Sequence, residues 1–308
     1  MTLPQLSIII PTHNRPELLP LAVQSALSQT IQNLEVIVVN DGSEQFPDLP
    51  ADPRLRVIHL QSSQGGAGAR NVGTKAAQGR WVTYLDDDDT LLPHMAEKSL
   101  EAIANASGPY PVAVISGIEV VTPEGKVSRQ RIPPERCPKG GNFFLEPQQP
   151  GRSYLTKQTL VVEREVILGI GGWDQSFRSR VHSELFLRLN PACTIVGIPD
   201  MTYRLRRHIG PRVSSNSGLR QESFQRLVQK HGRAFKAHPQ AFAQFLLRHA
   251  KVSWELSQHW AAIEAVTWAI TLSPADISKR LISRFVRQSI RRLRHLRFMT
   301  RSKNAASL

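Results

Sequence analysis

The chain has few of the residues that would mark a secreted, zinc-binding or membrane-spanning protein. Its 308 residues include only two cysteines, Cys137 and Cys193, too few for a disulfide framework or a cysteine-based zinc site. No apolar run approaches the ~18–20 residues that a bilayer-spanning helix needs. The amino terminus lacks the basic and apolar segments of a signal peptide. We therefore interpret both cysteines as reduced and structural, and we expect a cytoplasmic protein.

Acidic residues are scarce relative to basic ones. The chain has 25 Asp and Glu against 39 Lys and Arg, a formal charge of +14 and a pI near 10.4. Such an excess predicts an anionic partner, which could be a nucleic acid, a phosphorylated ligand or an acidic membrane surface. Residues 279–303 hold ten Lys or Arg and no acid, so the carboxyl-terminal tail supplies most of the excess.

Strand and helix patterns alternate through the first hundred residues. Buried-strand patterns at 6–10, 35–40 and 81–85 are separated by amphipathic helices, which predicts a mostly parallel sheet covered by helices on both faces. From about residue 218 only helical patterns remain. The predicted domains are 1–217, with a nucleotide-binding half (1–105) and an acceptor half (106–217), then a helical hairpin (218–275) and a basic amphipathic tail (276–308).

Four consecutive carboxylates, Asp86 to Asp89, follow the strand pattern at 81–85. Like charges repel one another, and oxygen ligands at the carboxyl end of a strand are typical of a divalent-cation site. Open α/β sheets bind their ligands beyond these strand ends. The alternatives are a solvated acidic loop or a cap for the next helix.

The other strand patterns also end in polar or glycine residues. These ends are Pro11–Arg15, Asp41–Ser43 and Gly65–Asn71. Because the carboxyl ends of parallel strands meet at one edge of a sheet, we expect the three segments to converge with the carboxylates. The glycine-rich segment lacks both the G-x-G-x-x-G register of a dinucleotide site and the lysine of a Walker loop.

These four segments together give the chain a family resemblance. PTHNR, VNDGS, GAGARNVG and YLDDDD occur in the order and at the spacing of the family 2 inverting glycosyltransferases, and the resemblance covers residues 5 to about 215. It implies the GT-A fold, a Rossmann-like mixed and mostly parallel sheet, here with an all-helical carboxyl-terminal extension. It also implies metal-dependent transfer of a sugar, with inversion, from a nucleotide-diphosphate sugar to a hydroxyl of a glycan or lipid-linked glycan. UDP is the nucleotide that the family leads us to expect.

The resemblance also implies a donor site. Pro11, Thr12 and Asp41 would line the base pocket, and Arg70 would support the base or the phosphates. Asp86 would face the ribose or the sugar. The full set expected to bind the donor is Pro11, Thr12, Asn14, Arg15, Asp41, Arg70, Asp86 and Asp87. Asp88 and His208 would ligate Mn²⁺ or Mg²⁺, although His208 could instead be a basic-loop histidine with no ligand role.

The general base is the point at which the sequence departs from the family pattern. Relatives supply an aspartate from a Glu-Asp pair after a Gly-Gly-aromatic-Asp turn, but here the turn at 171–174 is followed by Val181-His182 at the expected position. We expect Glu184 as the base, with His182 second because its ordinary pKa suits base chemistry near neutrality. Alternatively, Glu184 pairs with Arg188 one helical turn later and neither residue is catalytic. The missing pair also leaves open a noncatalytic nucleotide-sugar-binding or scaffold protein.

Two further segments carry open predictions. Residues 129–152 lack periodicity, which indicates either a functional loop or a disordered connection. Residues 277–299 place aliphatic side chains on one helical stripe among arginines, which is typical of an interfacial helix on the anionic inner face of a membrane. That stripe could instead pack on the helical hairpin or on a second subunit. Nucleic acid is less favoured, because no stacking aromatics are interleaved with the arginines.

Overall fold

The structure, a computed structural model, describes residues 3–146, 149–207 and 216–275. The chain divides into two compact units, Met1–Gly232 and Arg233–Leu308. The first unit therefore includes the helix Ser217–Lys230, which the sequence pattern had placed with the helical hairpin after residue 217. The tail at 276–308 and His208 lie outside the described residues.

Within the described residues, one sheet of ten strands dominates the first unit. The strands are β1 (Leu6–Thr12), β2 (Leu34–Asn40), β3 (Leu55–His59), β4 (Trp81–Tyr84), β5 (Thr90–Leu91), β6 (Val112–Val121), β7 (Val127–Arg131), β8 (Arg136–Cys137), β9 (Val161–Glu163) and β10 (Thr194–Arg206). The helices are α1 (Leu19–Leu27), α2 (Gly65–Ala76), α3 (Met95–Ala104), α4 (Arg164–Gly169), α5 (Val181–Ala192) and α6 (Ser217–Lys230).

The strand order brings the candidate site to one edge of this sheet. The order is β3-β2-β1-β4-β9-β6-β10-β5, with β7 paired to β6 and β8 paired to β10. Strands β1 to β4 are parallel, and β9 is antiparallel to both β4 and β6, so β6 and its parallel neighbour β10 run in the same direction as β4. The predicted mixed, mostly parallel sheet is confirmed, and the carboxyl ends of its main strands share one edge.

The central strands are buried on both faces because helices cover the sheet on each side. All seven residues of β1 are buried, and its apolar run is the kind that a parallel strand between two helical layers requires. Side chains of α1 and α3 share one apolar core with Ile8, Ile10 and Val38. Helix α1 starts at Leu19, after the turn in which Asn14 adopts a left-handed backbone (φ 51°).

Helix α2 lies unusually close to β1, and a glycine makes this approach possible. A Cβ atom at Gly73 would lie 2.4 Å from Cγ2 of Ile9 and 3.3 Å from Cγ2 of Val39. Both neighbours are buried and β-branched, so their rotamers are stiff. The close packing fixes the position of Arg70, which α2 carries one turn earlier.

Gly73→Ala should therefore destabilise the protein despite the better helix propensity of alanine. We expect overpacking to cost about 1–3 kcal/mol against a propensity gain of about 1 kcal/mol, a net loss measurable by urea unfolding. Gly169→Ala, in α4, is the matched control, because a Cβ there meets nothing within 4 Å. Equal stability of the two variants would contradict the close approach of α2 to β1.

The second unit is helical in its described part. It contains α7 (Gly232–Ala237), which begins at the unit boundary, α8 (Pro239–Glu255) and α9 (His259–Leu272). Phe242 packs its ring on Phe235 at 4.5 Å and on Trp268 at 4.9 Å. The outer face of α9 exposes Trp260 and Ile263.

Among the described residues, no helix combines the length and the apolar character that crossing a bilayer requires.

Candidate functional site

Asp41, at the end of β2, anchors the start of α2. Its buried carboxylate accepts hydrogen bonds from the hydroxyl of Ser63 (2.7 Å) and from the backbone N–H groups of Gln64 (2.7 Å) and Gly65 (2.9 Å). A carboxylate at this position satisfies helix N–H groups that have no intrahelical partner and complements the helix dipole. The role of Asp41 in base binding stays a prediction, and it would have to be added to this structural role.

The PTHNR segment fastens β1 to the acidic loop. The buried hydroxyl of Thr12 donates to Oδ2 of Asp87 at 2.8 Å. Arg15 donates to Oδ1 of Asp87 at 2.8 Å and lies 3.1 Å from Oδ2 of Asp88. Pro11 pairs with Val39 within the sheet. Two of the expected donor-binding residues, Arg15 and Asp87, therefore bind each other.

Asn14 holds the neighbouring turn together. Its N–H donates to Oγ of Ser43 at 2.9 Å, and its Oδ1 accepts the N–H of Glu44 at 3.1 Å. His13 contributes a ring contact of 2.7 Å to the carbonyl oxygen of Asp41. These bonds bring the polar ends of β1 and β2 side by side, as their parallel arrangement predicts.

Three of the four consecutive aspartates form a carboxylate cluster. Asp86, Asp88 and Asp89 each place an oxygen within 4.8 Å of the other two. Asp89 is buried and accepts hydrogen bonds from the hydroxyl of Tyr203 (2.7 Å) and the N–H of Arg206 (2.8 Å). Burial, followed by the charges of Asp86 and Asp88, raises the pKa of Asp89 well above its ordinary range. A cation would relieve this repulsion.

The composition of this cluster differs from the set expected from the sequence. Asp89 was not among the expected site residues, and Asp87 faces Thr12 and Arg15 instead of the cluster. A strand pattern assigns faces only while the strand continues, and β4 ends at Tyr84. The signal that could have found Asp89 is its place in the unbroken acidic run, although its partner Tyr203 is 114 residues away.

Arg70 connects the cluster to the aromatic part of the site. Its guanidinium forms an ion pair with Asp86, donates to the carbonyl oxygen of Gly66 at 2.9 Å and lies over the ring of Trp173 at 5.1 Å. Burial raises the pKa of Asp86, but the charge and the hydrogen bond of Arg70, with the charge of Arg15, outweigh this effect and hold it below its ordinary value. The Asp86 carboxylate therefore stays ionised at neutral pH.

His182 lies beside the carboxylate cluster. Its ring packs edge-on against Trp173, with centroids 5.1 Å apart, and it interacts electrostatically with Asp86. Burial and the nearby positive charge of Arg70 outweigh the attraction of Asp86 and lower the pKa of His182 to about 3. The imidazole is therefore neutral at physiological pH, but its lowered pKa makes it a weaker proton acceptor than the ordinary histidine that the sequence led us to expect.

Glu184 has a different environment. It is buried, with 1% of its side chain exposed, and its oxygens contact Nε and Nη2 of Arg188 (2.7 and 2.5 Å) and Nζ of Lys230 (2.7 Å). The ring of His231 lies 3.3 Å away. Burial alone would raise the pKa of Glu184, but these hydrogen bonds lower it far below its ordinary value. A carboxylate so strongly stabilised in its charged form accepts protons poorly, so this geometry does not favour Glu184 as the base.

The contacts of Glu184 form a charge network that holds three parts of the first unit together. Lys230, at the end of α6, also binds Oδ2 of Asp174 at 2.6 Å. The network thus joins α5, α6 and the turn at 171–174, which positions Trp173 against Arg70. It also explains why α6 belongs to the first unit.

Glu184→Gln should test this structural role. Removing the buried charge leaves Arg188 without its carboxylate partner and Lys230 with Asp174 alone, and we expect a loss of about 3 kcal/mol or more in the free energy of unfolding at pH 7. Glu165→Gln, which alters an exposed pair with Arg164, should change stability little.

The same substitution predicts a pH dependence. Because folding lowers the pKa of Glu184 from an ordinary value of 4.5, its contribution is present above about pH 4.5 and is lost as the pH falls towards the folded-state pKa. The stability difference between wild type and Glu184→Gln should therefore shrink below pH 4.5. A difference that stays constant from pH 7 to pH 3 would contradict the charge network.

Comparison with known proteins agrees with the motifs. The family model described as glycosyl transferase family 2 matches residues 7–155. An uncharacterized glycosyltransferase of Rickettsia prowazekii is 35% identical over 221 residues, which cover 71% of this chain and 68% of the relative. The chain belongs to glycosyl transferase family 2.

Other curated relatives align with this chain over a smaller share of their own length. The succinoglycan biosynthesis protein ExoO of Rhizobium meliloti is 36% identical over 130 residues, which cover 41% of this chain and 36% of ExoO. The chain spans less than two thirds of several of the curated relatives that it matches.

A solved structure supports the fold. Residues 1–349 of S. aureus TarS, in complex with UDP-GlcNAc, align with a TM-score of 0.54 and 14% sequence identity, covering 89% of this chain and 92% of that one. The predicted GT-A-type architecture with carboxyl-terminal helices is confirmed. The individual site residues, including the metal ligands Asp88 and His208, stay predictions.

Proposed function

We propose that this family 2 protein transfers a sugar from a UDP-linked donor to a hydroxyl of a glycan or lipid-linked glycan, with inversion and with the help of Mn²⁺ or Mg²⁺. The observation that carries the proposal is the cluster of Asp86, Asp88 and Asp89 at the carboxyl edge of the sheet. The UDP-GlcNAc bound to TarS and the succinoglycan pathway named for ExoO support the donor and acceptor classes.

The residues present fit a divalent cation. Three carboxylates whose oxygens lie within 4.8 Å of one another offer the hard ligands that Mg²⁺ and Mn²⁺ prefer, and the buried Asp89 is repelled by the charges of Asp86 and Asp88. Asp86, Asp88 and Asp89 would hold the ion, with His208 as a further proposed ligand. When bound, such an ion neutralises the charge that develops on a nucleoside-diphosphate leaving group.

The chain's own residues would orient the donor. Arg70 forms an ion pair with Asp86 and so restricts the position of that carboxylate in the site. Thr12 and Arg15 keep Asp87 out of the cluster, so the acidic loop presents a defined subset of its carboxylates. Asp41 stabilises the start of α2 and thereby the position of Arg70, so its effect on donor binding includes an indirect part.

His182 is our candidate for the residue that takes the proton from the acceptor hydroxyl. It stands at the position where relatives carry the aspartate of the Glu-Asp pair, it is neutral, and it lies beside Asp86. Glu184, the first expectation from the sequence, is engaged by Arg188 and Lys230. An inverting transfer needs a proton acceptor on the face opposite the leaving group. The choice of His182 over Glu184 rests on its position and on the cations that occupy the Glu184 oxygens, since the pKa of both groups is lowered.

Asp88→Asn should separate metal-dependent donor binding from folding. We expect calorimetric titration of UDP with Mn²⁺ to show affinity that EDTA removes in the wild type and that falls by about tenfold or more in the variant, since a charged ligand is replaced by a neutral one. Asp48→Asn, at an exposed position, is the control. Equal UDP affinity with Mn²⁺ and with EDTA would contradict the proposed metal site.

His182→Ala should lower the rate of sugar transfer by about 10²–10⁴-fold while preserving UDP affinity, because a general base acts on the chemical step. The assay measures UDP release from a panel of UDP-sugars with candidate acceptors. His259→Ala, in the second unit, is the control.

A folded Glu184→Gln protein that binds UDP but transfers no sugar would instead identify Glu184 as the base. Wild-type protein that binds UDP and turns over no donor would favour a noncatalytic binding protein.

A further inference from the structure

Three arginines meet where β6 lies between β7 and β10. Arg129 and Arg131 lie on β7, paired with Val120 and Ile118 of β6. Arg207 follows β10, and its N–H donates to the carbonyl oxygen of Val121 at 2.9 Å. We call Arg129, Arg131 and Arg207 the arginine cluster.

The strand register places these side chains on one face. Arg129 and Arg131 are two residues apart on β7, and side chains two apart along a strand point to the same face. Leu205 of β10 pairs with Val120, the residue that also pairs with Arg129, and Arg207 lies two residues beyond Leu205. Burial, followed by the positive charges of Arg129 and Arg207, lowers the pKa of Arg131, which agrees with three guanidinium groups in close proximity.

No carboxylate neutralises the arginine cluster within the part of the chain that the structure describes. Its one side-chain hydrogen bond there joins Nη1 of Arg131 to the carbonyl oxygen of Leu155 at 3.3 Å. On the opposite face, by contrast, Arg204 pairs with Glu119 at 2.9 Å. Gathering like charges around a half-buried guanidinium is costly unless an anion compensates them, and guanidinium groups match phosphate oxygens in geometry.

The arginine cluster is adjacent to the carboxylate cluster but separate from it. Arg206 donates its N–H to Asp89, and Arg207 is the next residue, so both clusters occupy the carboxyl edge of the sheet. The proposed donor diphosphate already has its partners in the carboxylate cluster and its bound cation. A second anion at this edge would therefore belong to the other substrate.

We propose that Arg129, Arg131 and Arg207 bind a phosphate group carried by the acceptor. The inference rests on the proposed transferase function and adds the acceptor class: a molecule with a phosphate near the receiving hydroxyl. The phosphate has two sources, the pyrophosphate of a lipid-linked acceptor or a phosphodiester within a polymer.

Arginine modification tests the proposal on the intact chain. Phenylglyoxal labels accessible guanidinium groups, and mass spectrometry reads each site. We expect inorganic pyrophosphate or glycerophosphoglycerol, without metal, to protect the arginine cluster, while UDP with Mn²⁺ protects Arg15 but not Arg129 or Arg131. Stronger protection by pyrophosphate indicates the lipid-linked source, and stronger protection by the diester indicates the polymer. Failure of both anions to protect, or equal protection by UDP with Mn²⁺, would overturn the proposal.

The double variant R129Q/R131Q gives an independent readout. Its half-protecting concentration of pyrophosphate at Arg207 should rise by about tenfold or more, since two charge-assisted partners are lost. Its UDP affinity with Mn²⁺ should stay within about twofold of wild type. Arg226→Gln, an exposed position on α6, removes a matched charge and should change neither quantity. If the wild-type protein does not bind UDP with Mn²⁺, the proposed function is wrong. If pyrophosphate protects Arg207 equally well in the double variant, only this inference is wrong.

Discussion

Charge compensation around four consecutive carboxylates is the constraint on which the site depends. The four carboxylates are divided among several partners: Asp86 pairs with Arg70, Asp87 with Thr12 and Arg15, Asp88 with the same Arg15, and Asp89 with Tyr203 and the N–H of Arg206. The partners come from β1, α2 and β10, so the acidic loop forms only when these elements are assembled. The same distribution leaves three carboxylates close together and thereby creates the candidate cation site.

The large-scale fold could be predicted because its signals are local. Strands such as β1 read as continuous apolar runs, and their polar ends indicate the ligand-binding edge without any knowledge of distant contacts. The division of the four aspartates could not be predicted, because β4 ends at Tyr84 and periodicity assigns no faces beyond it. The interval after 129 was also expected to be irregular, yet Arg129 and Arg131 lie in β7 because they pair with β6.

The two candidates for the base differ in contacts that their spacing in the sequence does not reveal. Glu184 and His182 are two residues apart near the start of α5, and the sequence offers only one carboxylate there. Their contacts with residues far along the chain differ. Lys230, which is 46 residues after Glu184, binds one oxygen of its carboxylate. His182 instead meets Asp86 and Trp173. One helix thus places, within a single turn, a carboxylate bound by cations and an imidazole beside the carboxylate cluster.

The bond between Asp89 and Tyr203 also bears on how the chain can be synthesised and folded. The two residues are 114 positions apart, and the N–H of Arg206 that completes the contact lies 117 positions from Asp89. Because the acidic loop is synthesised well before β10, the carboxylate of Asp89 has neither of these partners until translation has passed residue 206. Residues 1–105 alone therefore leave the carboxylate of Asp89 without these two hydrogen bonds, which form only when β10 is in place.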